Sequence, residues 1–501
     1  MNNWKLVGGS IAIITLMGST AAFADVTAQE VWTDWHDYMA DFGYQITSND
    51  TASAGMVTVN DLTLMMKIPD EDETIKVVLG QITFKDQGDG TVAISFGDKM
   101  PMMISLDDDF SATLNYGQTG MSMVASGSAG NMSYDLKAPE LTLTLADLMI
   151  EGKKIPDAVL NLILKNVVSN TASKTGNLRD VTQTMSVGSI DYKFSLAEPG
   201  GGVNINVKGA MADVLANSKV SLPKGLDFQK MALALTNGFA ANGKIAWGAG
   251  GYEFDTANHG DTMKGKSSSE SGSLSFEMDR DHLRYSGSAK GNKASISGSD
   301  IPLPSIDYEI ADAVFDMLMP INKTQTPSDY SLTVKLGDLS VSDDIWAMLD
   351  PMAALPHDPA TLNIVLGGKA NWLVDIMDPE SEEMKTADVP GQLHALTLKE
   401  LQLKIGGADL TGVGDFTFNN DDLKTFDGLP APTGEVSLKL VGGNGLLDNL
   451  IKMGMVPQDE AMGVRMMMGL FAVAGEGEDT LTSKIEVKGD GSIYANGQRL
   501  K

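Results

Sequence analysis

VTVNDLTL, residues Val57–Leu64, alternates apolar and polar side chains on either side of an Asn60–Asp61 pair that adds one residue to the period. The same pattern returns as VVLGQITF (Val77–Phe84), LTLADLMI (Leu143–Ile150), MSVGSIDY (Met185–Tyr192), VKLGDLSV (Val334–Val341) and LTLKELQL (Leu396–Leu403). Each reads as one β-strand. A residue inserted into a period of two turns the second half of a strand over, unless the backbone bulges there and restores the face. Bulges are therefore expected at Asn60–Asp61, Ala146–Asp147 and Gly337–Asp338. The fold class that follows is mainly β: a long twisted antiparallel sheet with bulged strands, plus a few short amphipathic helices at the start, middle and C-terminal end.

Working outward, the first 24 residues carry one Lys (Lys5), an apolar run from Leu6 to Met17, and Ala22-Phe23-Ala24. This is the pattern of a secretory signal peptide over residues 1–24, cleaved after Ala24. The apolar run is too short to favour a spanning helix, and no later segment approaches ~18 uninterrupted apolar residues. No stable transmembrane span is expected after signal cleavage, and the expected location is the periplasm of a Gram-negative envelope. The chain has no cysteine. Its fold must rest on burial without disulfides, and a lipoprotein anchor is excluded. The remainder exceeds the ~250–300 residues at which a single core stops growing. Two regions are expected, 25–300 and 301–501.

A formal charge of −29 repels phosphate backbones and anionic head groups, which argues against nucleic acid as a partner. The acidic residues fall in short turns such as Asp107–Asp109, where solvation accounts for them and the spacing of a calcium loop is missing.

Helical spacing is confined to a few stretches. Thr27 with Glu30 forms a capping box ahead of Val31, Trp35, Met39 and Phe42. Leu226–Thr236 and Asp344–Leu349 allow short helices. Ile306, Ile310, Val314, Met317 and Leu318 line one helical face before Pro320, so a middle helix over Ser305–Leu318 and a boundary near residue 300 are expected. Two more helices, Leu446–Met453 and Gln458–Phe471, precede a final hairpin with Ile485 and Val487 against Ile493. The polar run from Asn258 to Ser273 has no apolar period and reads as a long hairpin loop or a flexible excursion.

The residues offer little chemistry. Five histidines are scattered, with no H-E-x-x-H, and zinc lacks thiolate ligands. No G-x-S-x-G elbow, P-loop or G-x-G-x-x-G is present. No catalytic, cofactor-binding or metal-binding residue is assigned, no cofactor is expected, and the chain is read as not an enzyme. Methionine is the enrichment, at 30 residues. Flexible thioethers can line an adaptable groove, bind Cu(I) or fill an irregular core. Core filling leads, because Met121 and Met123 share a strand face and Met462 and Met466 a helix face.

The string IWAMLDPMAALPHDPATLNIVLGGKANWLVDIMDPE (Ile345–Glu380), the ending DGSIYANGQRLK, the opening VTAQEVWTDWHDYMADFG and PLPSIDYEIADAVFDMLMPI resemble an exported, mainly alphaproteobacterial family catalogued as domain of unknown function 2125. Asp350-Pro351 and Leu355-Pro356 ahead of Asp358–Thr361 are its most specific marks. The resemblance implies no activity and no site residues. The strand pattern is also loosely similar to AsmA-like envelope proteins, several of which handle lipids.

A sheet this long with one apolar face either folds on itself or leaves a groove. The groove makes the chain a non-enzymatic envelope protein that binds a lipid or other hydrophobic ligand, with Leu450, Met453, Met466, Met467, Leu470 and Phe471 as a lid lining it. The folded-over sheet makes it a structural or protein-interaction scaffold in the periplasm without a small-molecule ligand. A periplasmic hydrolase is a distant third.

Overall fold

A computed structural model describes residues 25–68, 73–107, 109–198, 200–378 and 381–501; the expected signal peptide lies outside the described residues. The chain forms two compact units, one up to Gly260 and the other Asp261–Lys501. The described residues are mainly strand, and the sheet of each unit is antiparallel.

The first unit opens with α1 (Ala28–Asp41), capped as expected: Glu30 N–H donates to Thr27 Oγ1, and Thr27 N–H donates to Glu30. Its Val31, Trp32 and Trp35 enter a core with Val59, Phe84 and Tyr134, each of these three 0% exposed. The sheet is a meander. Strands Gln45–Ser53 and Met56–Lys67 come first, then three tiers each built from two short strands end to end. Long strands follow at Asn131–Ile150, Val159–Thr175, Arg179–Ala197 and Val203–Leu222, and then Ala240–Trp247 with Gly250–Asn258.

The expected bulges are present. Register shifts by one beside Asn60–Asp61, where Asp61 takes φ +50°, and Val57, Val59, Leu62 and Leu64 are all buried despite the change of parity. Shifts also occur beside Ala146 and at Gly337–Asp338. VVLGQITF differs from expectation: it is two strands, Thr74–Leu79 and Ile82–Asp86, parted at Gly80–Gln81 opposite the bulge, where Gln81 Nε2 donates to Asn60 Oδ1 at 3.0 Å.

The long strands of this unit share one transverse crease. Register places Pro139, Asn166, Gly188, Asp213 and Gly248 opposite one another on successive strands. Asn166 and Asp213 sit in the left-handed region (φ +54° and +51°), which short polar side chains tolerate, and Pro139 has no N–H to pair. Each strand changes parity as it crosses. In Val203–Leu222, odd-numbered Ile205 and Val207 point inward before Asp213, and even-numbered Val214 and Val220 after it.

Asp34 on α1 and Arg179 clip the helix to the sheet. Arg179 is buried and donates to Asp34 Oδ1 (2.5 Å), Asp41 Oδ2 (3.0 Å) and Ser173 Oγ (3.1 Å), while Tyr134 OH donates to Asp34 Oδ2 (2.5 Å). Burial opposes the Arg179 charge, but Asp34 and Asp41 outweigh it and hold the guanidinium more firmly protonated than usual.

The second unit sets Asp261–Ser269 and Ser271–Met278 end to end against His282–Gly298. Ile306–Pro320, Ser328–Val341, Ala360–Trp372, Gly391–Ile405, Ala408–Asn419, Ala431–Val441 and Thr480–Val487 continue the sheet. A crease again crosses it: Gly291 (φ +58°), Ala311 and Asp338 (φ +52°) face one another in register. Five further α-helices lie among the described residues: α2 (Met231–Thr236) in the first unit, and α3 (Asp343–Leu349), α4 (Glu382–Thr386), α5 (Gly443–Lys452) and α6 (Gln458–Phe471) in the second.

Two expectations are corrected here. Ser305–Leu318 is not a helix; Ile306–Pro320 is a strand paired on both sides. Apolar residues change parity at Ala311, from Ile306, Tyr308 and Ile310 to Ala313, Phe315 and Met317, and a period of two with one parity change mimics helical spacing. Residues 299–300 form a turn before this strand. Asn258–Ser273 is not a long loop either. Asp261–Ser269 is a polar strand held by pairing Met263–Ser268 with Lys293–Gly298, so backbone hydrogen bonds rather than apolar burial fix it.

Candidate hydrophobic-ligand face

Directly paired residues on adjacent antiparallel strands point to the same side of a sheet. In the second unit that rule lines up three apolar rows. One runs Phe276, Tyr285, Met317, Leu332, Leu366, Leu398, Gly414, Val436, Ile485. The next runs Leu274, Gly287, Phe315, Val334, Ile364, Leu401, Gly412, Leu438, Ser483. The third joins Ala313, Leu336, Leu362, Leu403, Leu410, Leu440 and Leu481. With ~4.8 Å between strands, the longer rows extend roughly 38 Å.

Two glycines on this side of the sheet are filled from beside them. Leu438 and Leu401 reach over Gly412, and the Tyr330 ring covers Gly368 while its hydroxyl donates to the Ala395 carbonyl at 3.1 Å. The result is a level apolar floor.

The reverse side of the same strands is polar and cross-linked. Arg284 grips Asp316 with two bonds (3.0 and 2.6 Å), Lys335 meets Asp312 at 2.8 Å, Lys484 meets Glu435 at 2.9 Å, and Thr397 Oγ1 donates to Asp415 Oδ1 at 3.1 Å. Such pairs are worth little in stability, about 0–1 kcal/mol each, but they mark this side as the solvated one. The apolar side is not thereby a core. No large side chain of the three rows is buried, and Leu274 is 56% exposed.

Helices close one end of the floor. α3 meets the Ile306–Pro320 strand, and α5 meets Ala408–Asn419. The loop after α3 carries the Asp350-Pro351 and Leu355-Pro356 marks. Burial pushes the Asp350 carboxyl up, but the N–H groups of Ala354 and Leu355 and the ring of His357 hold it below the usual carboxylate range. The His357 ring stacks on Trp346 at 4.0 Å. So held, Leu355 lies against Gly406, as does Leu446 of α5, and Pro356 covers Gly407.

α6 stands at the Thr480–Val487 strand. Its Phe471 carbonyl accepts from Ser483 Oγ (2.6 Å) and Asn496 Nδ2 (3.0 Å), and Ser483 belongs to the second row, so the end of α6 is tied to the apolar side. Arg465 donates to Asp448 of α5 at 2.5 Å. Of the residues expected to line a ligand, Leu450 and Met453 are half-buried at α5, while Met466, Met467, Leu470 and Phe471 are exposed on α6, Met466 at 73%. Core filling by methionine thus holds for Met100, Met102, Met123 and Met132 in the first unit and fails for Met462 and Met466, because Ala461 is the one fully buried residue of α6.

The residues expected as a lid lie on the helices, and the expectation of an uncovered apolar sheet face named no residue of the rows. Their signal was present: from Ser331 to Leu440 apolar residues alternate with Lys, Thr, Asp and Glu and change phase at the bulges, with too few helices to cover them. Among the described residues there is no helix long and apolar enough to cross a membrane and no group of three or more His, Asp or Glu placed to hold a metal ion.

A family model described as uncharacterized protein conserved in bacteria (DUF2125) matches residues 214–500. The chain belongs to this family. The DUF2125 match takes in all three rows, the Asp350 loop and both C-terminal helices. No curated protein and no solved structure matches the chain.

Proposed function

We propose that this DUF2125 member is an exported, non-enzymatic envelope protein that binds a lipid or other hydrophobic ligand along the apolar face of its second unit. One observation carries the reading: rows of Leu, Ile, Val and Phe cross up to nine tiers of sheet and stay half-exposed, while the reverse side is polar. Exposed apolar patches of this extent mark binding surfaces. Ten methylenes laid on such a floor give a gross gain of about 8 kcal/mol, close to the standard free energy of a micromolar complex. α6 and its exposed methionines form the adaptable rim. Export rests on Ala22-Phe23-Ala24 and predicts Asp25 as the N-terminus of protein recovered from the periplasm.

The test is a saturation titration of the mature protein with a fluorescent fatty acid, beside mass spectrometry of co-purified lipids. Saturable binding, weakened at least ten-fold in Val334→Gln with Leu401→Gln at an unchanged melting temperature, supports the reading. Absence of saturable binding by the wild type returns the protein to the scaffold reading.

A further inference from the structure

The first unit repeats this design beyond its crease. Tyr116, Leu143, Leu162, Tyr192, Gly209 and Tyr252 are paired across six successive tiers. Beside them run Leu160, Phe194, Val207 and Phe254. The Tyr192 ring lies over Gly209, filling the gap as Tyr330 does at Gly368. Charges again sit on the reverse side, where Lys208 meets Glu253 at 2.8 Å.

Exposure rises along the row. Tyr116 is buried in the core, Leu143 and Leu162 are half-buried, and Tyr252 is 45% exposed. The surface therefore has a closed inner end and an open outer end marked by Tyr192 and by the ring of Tyr252, which stacks with Phe254. A flat protein surface cannot follow a floor that runs into a packed core, and a second copy would bring another −29 charges to a face that offers no cation. A flexible chain meets neither obstacle. Six tiers extend about 24 Å, more than the ~15 Å of one leaflet of a ~30 Å hydrocarbon core.

We infer that this face is a second, separate site for a single long acyl chain, tail toward Tyr116 and polar end toward Tyr252, so that each protein molecule carries two ligands. The inference rests on the function proposed above and extends it to a surface of different lining, richer in aromatic rings than the other.

Native mass spectrometry of the lipid-stripped mature protein with hexadecanoic acid tests it. Wild type should take up two molecules, Val207→Gln with Tyr252→Gln one, Val334→Gln with Leu401→Gln one, and the combination none. One molecule on the wild type, lost only through Val334 and Leu401, overturns the second site and leaves the proposed function standing. One molecule lost through either pair overturns separateness. None on the wild type overturns both readings. Should Val207→Gln fail to fold, Tyr252→Gln alone, at an exposed position, is expected to weaken one of the two steps at least five-fold, and two unchanged steps overturn the site.

Discussion

Asn166 packs its side chain against the bare Cα of Gly188 on the next strand; a Cβ there would stand 3.1 Å from Asn166 Nδ2. This contact sits at the centre of the first unit's crease, where a left-handed Asn and a glycine let two long strands change parity together. Replacing Asn166 by Gly should leave stability within about 0.5 kcal/mol, whereas Asn166→Val should cost about 1–2 kcal/mol, because a β-branched residue resists φ +54°. Urea denaturation of both variants is the measurement, and equal midpoints would mean that the left-handed residue does not set the crease.

The clip between Asp34 and Arg179 predicts a larger effect. Arg179→Met leaves the Asp34 carboxylate and Tyr134 in the core without their cation, and Asp34→Asn leaves the guanidinium with Asp41 as its one paired carboxylate. Breaking one side of a buried pair costs about 3–5 kcal/mol. Tryptophan fluorescence, dominated in this unit by Trp32 and Trp35 beside the clip, should follow the lowered urea midpoint.

Alkali should loosen the first unit. Burial, then the charge of Asp34, raises Tyr134 well above its ordinary value of 10.0, and burial pushes Tyr116 up to about 12. Both are neutral in the folded state where the unfolded chain would already ionise. Their contribution is therefore complete below pH 10 and is lost as pH rises from about 10 through the folded values. Melting temperature should hold level between pH 7 and 9 and fall above 10, less steeply in Tyr134→Phe. A steepness unaffected by that substitution would remove Tyr134 as a cause.

The C-terminal helices separate packing from binding. Leu447 on α5 is buried, and Leu447→Ala should cost about 2–3 kcal/mol. Met466→Ser with Met467→Ser removes side chains that touch solvent and should change stability by no more than about 0.5 kcal/mol. Fatty-acid affinity should nevertheless drop several-fold in the double variant. A fall in melting temperature instead would show that α6 is a structural cap.

Strand identity was legible wherever a period of two met one inserted polar residue, as at Asn60–Asp61, and the capping box of α1 was legible from Thr27 and Glu30 alone. Both are local: they depend on which side chains neighbour one another along the chain. Ile306–Leu318 shows the limit, since Ile306, Ile310 and Val314 satisfy helix and bulged strand equally, and only pairing to His282–Gly298 and Ser328–Val341 chose the strand. The polar strand Asp261–Ser269 was hidden for the same reason, because its partner supplies the hydrogen bonds that its composition does not announce.

The sequence by itself determined a cysteine-free, acidic, mainly β chain whose strands each present one apolar side, because alternation and composition act residue by residue. Which apolar sides become core and which stay open was decided only by tertiary structure. Val59, Phe84 and Tyr134 are sealed because α1 lies on them, and α1 is held there by Asp34 and Arg179, 145 residues apart in the chain. Leu332, Leu366 and Leu398 have the same chemistry and the same alternation, yet remain half-exposed because the helices of their unit pack at the ends of the sheet instead. Coverage depends on where a distant segment comes to rest, and no period in the strand itself encodes that.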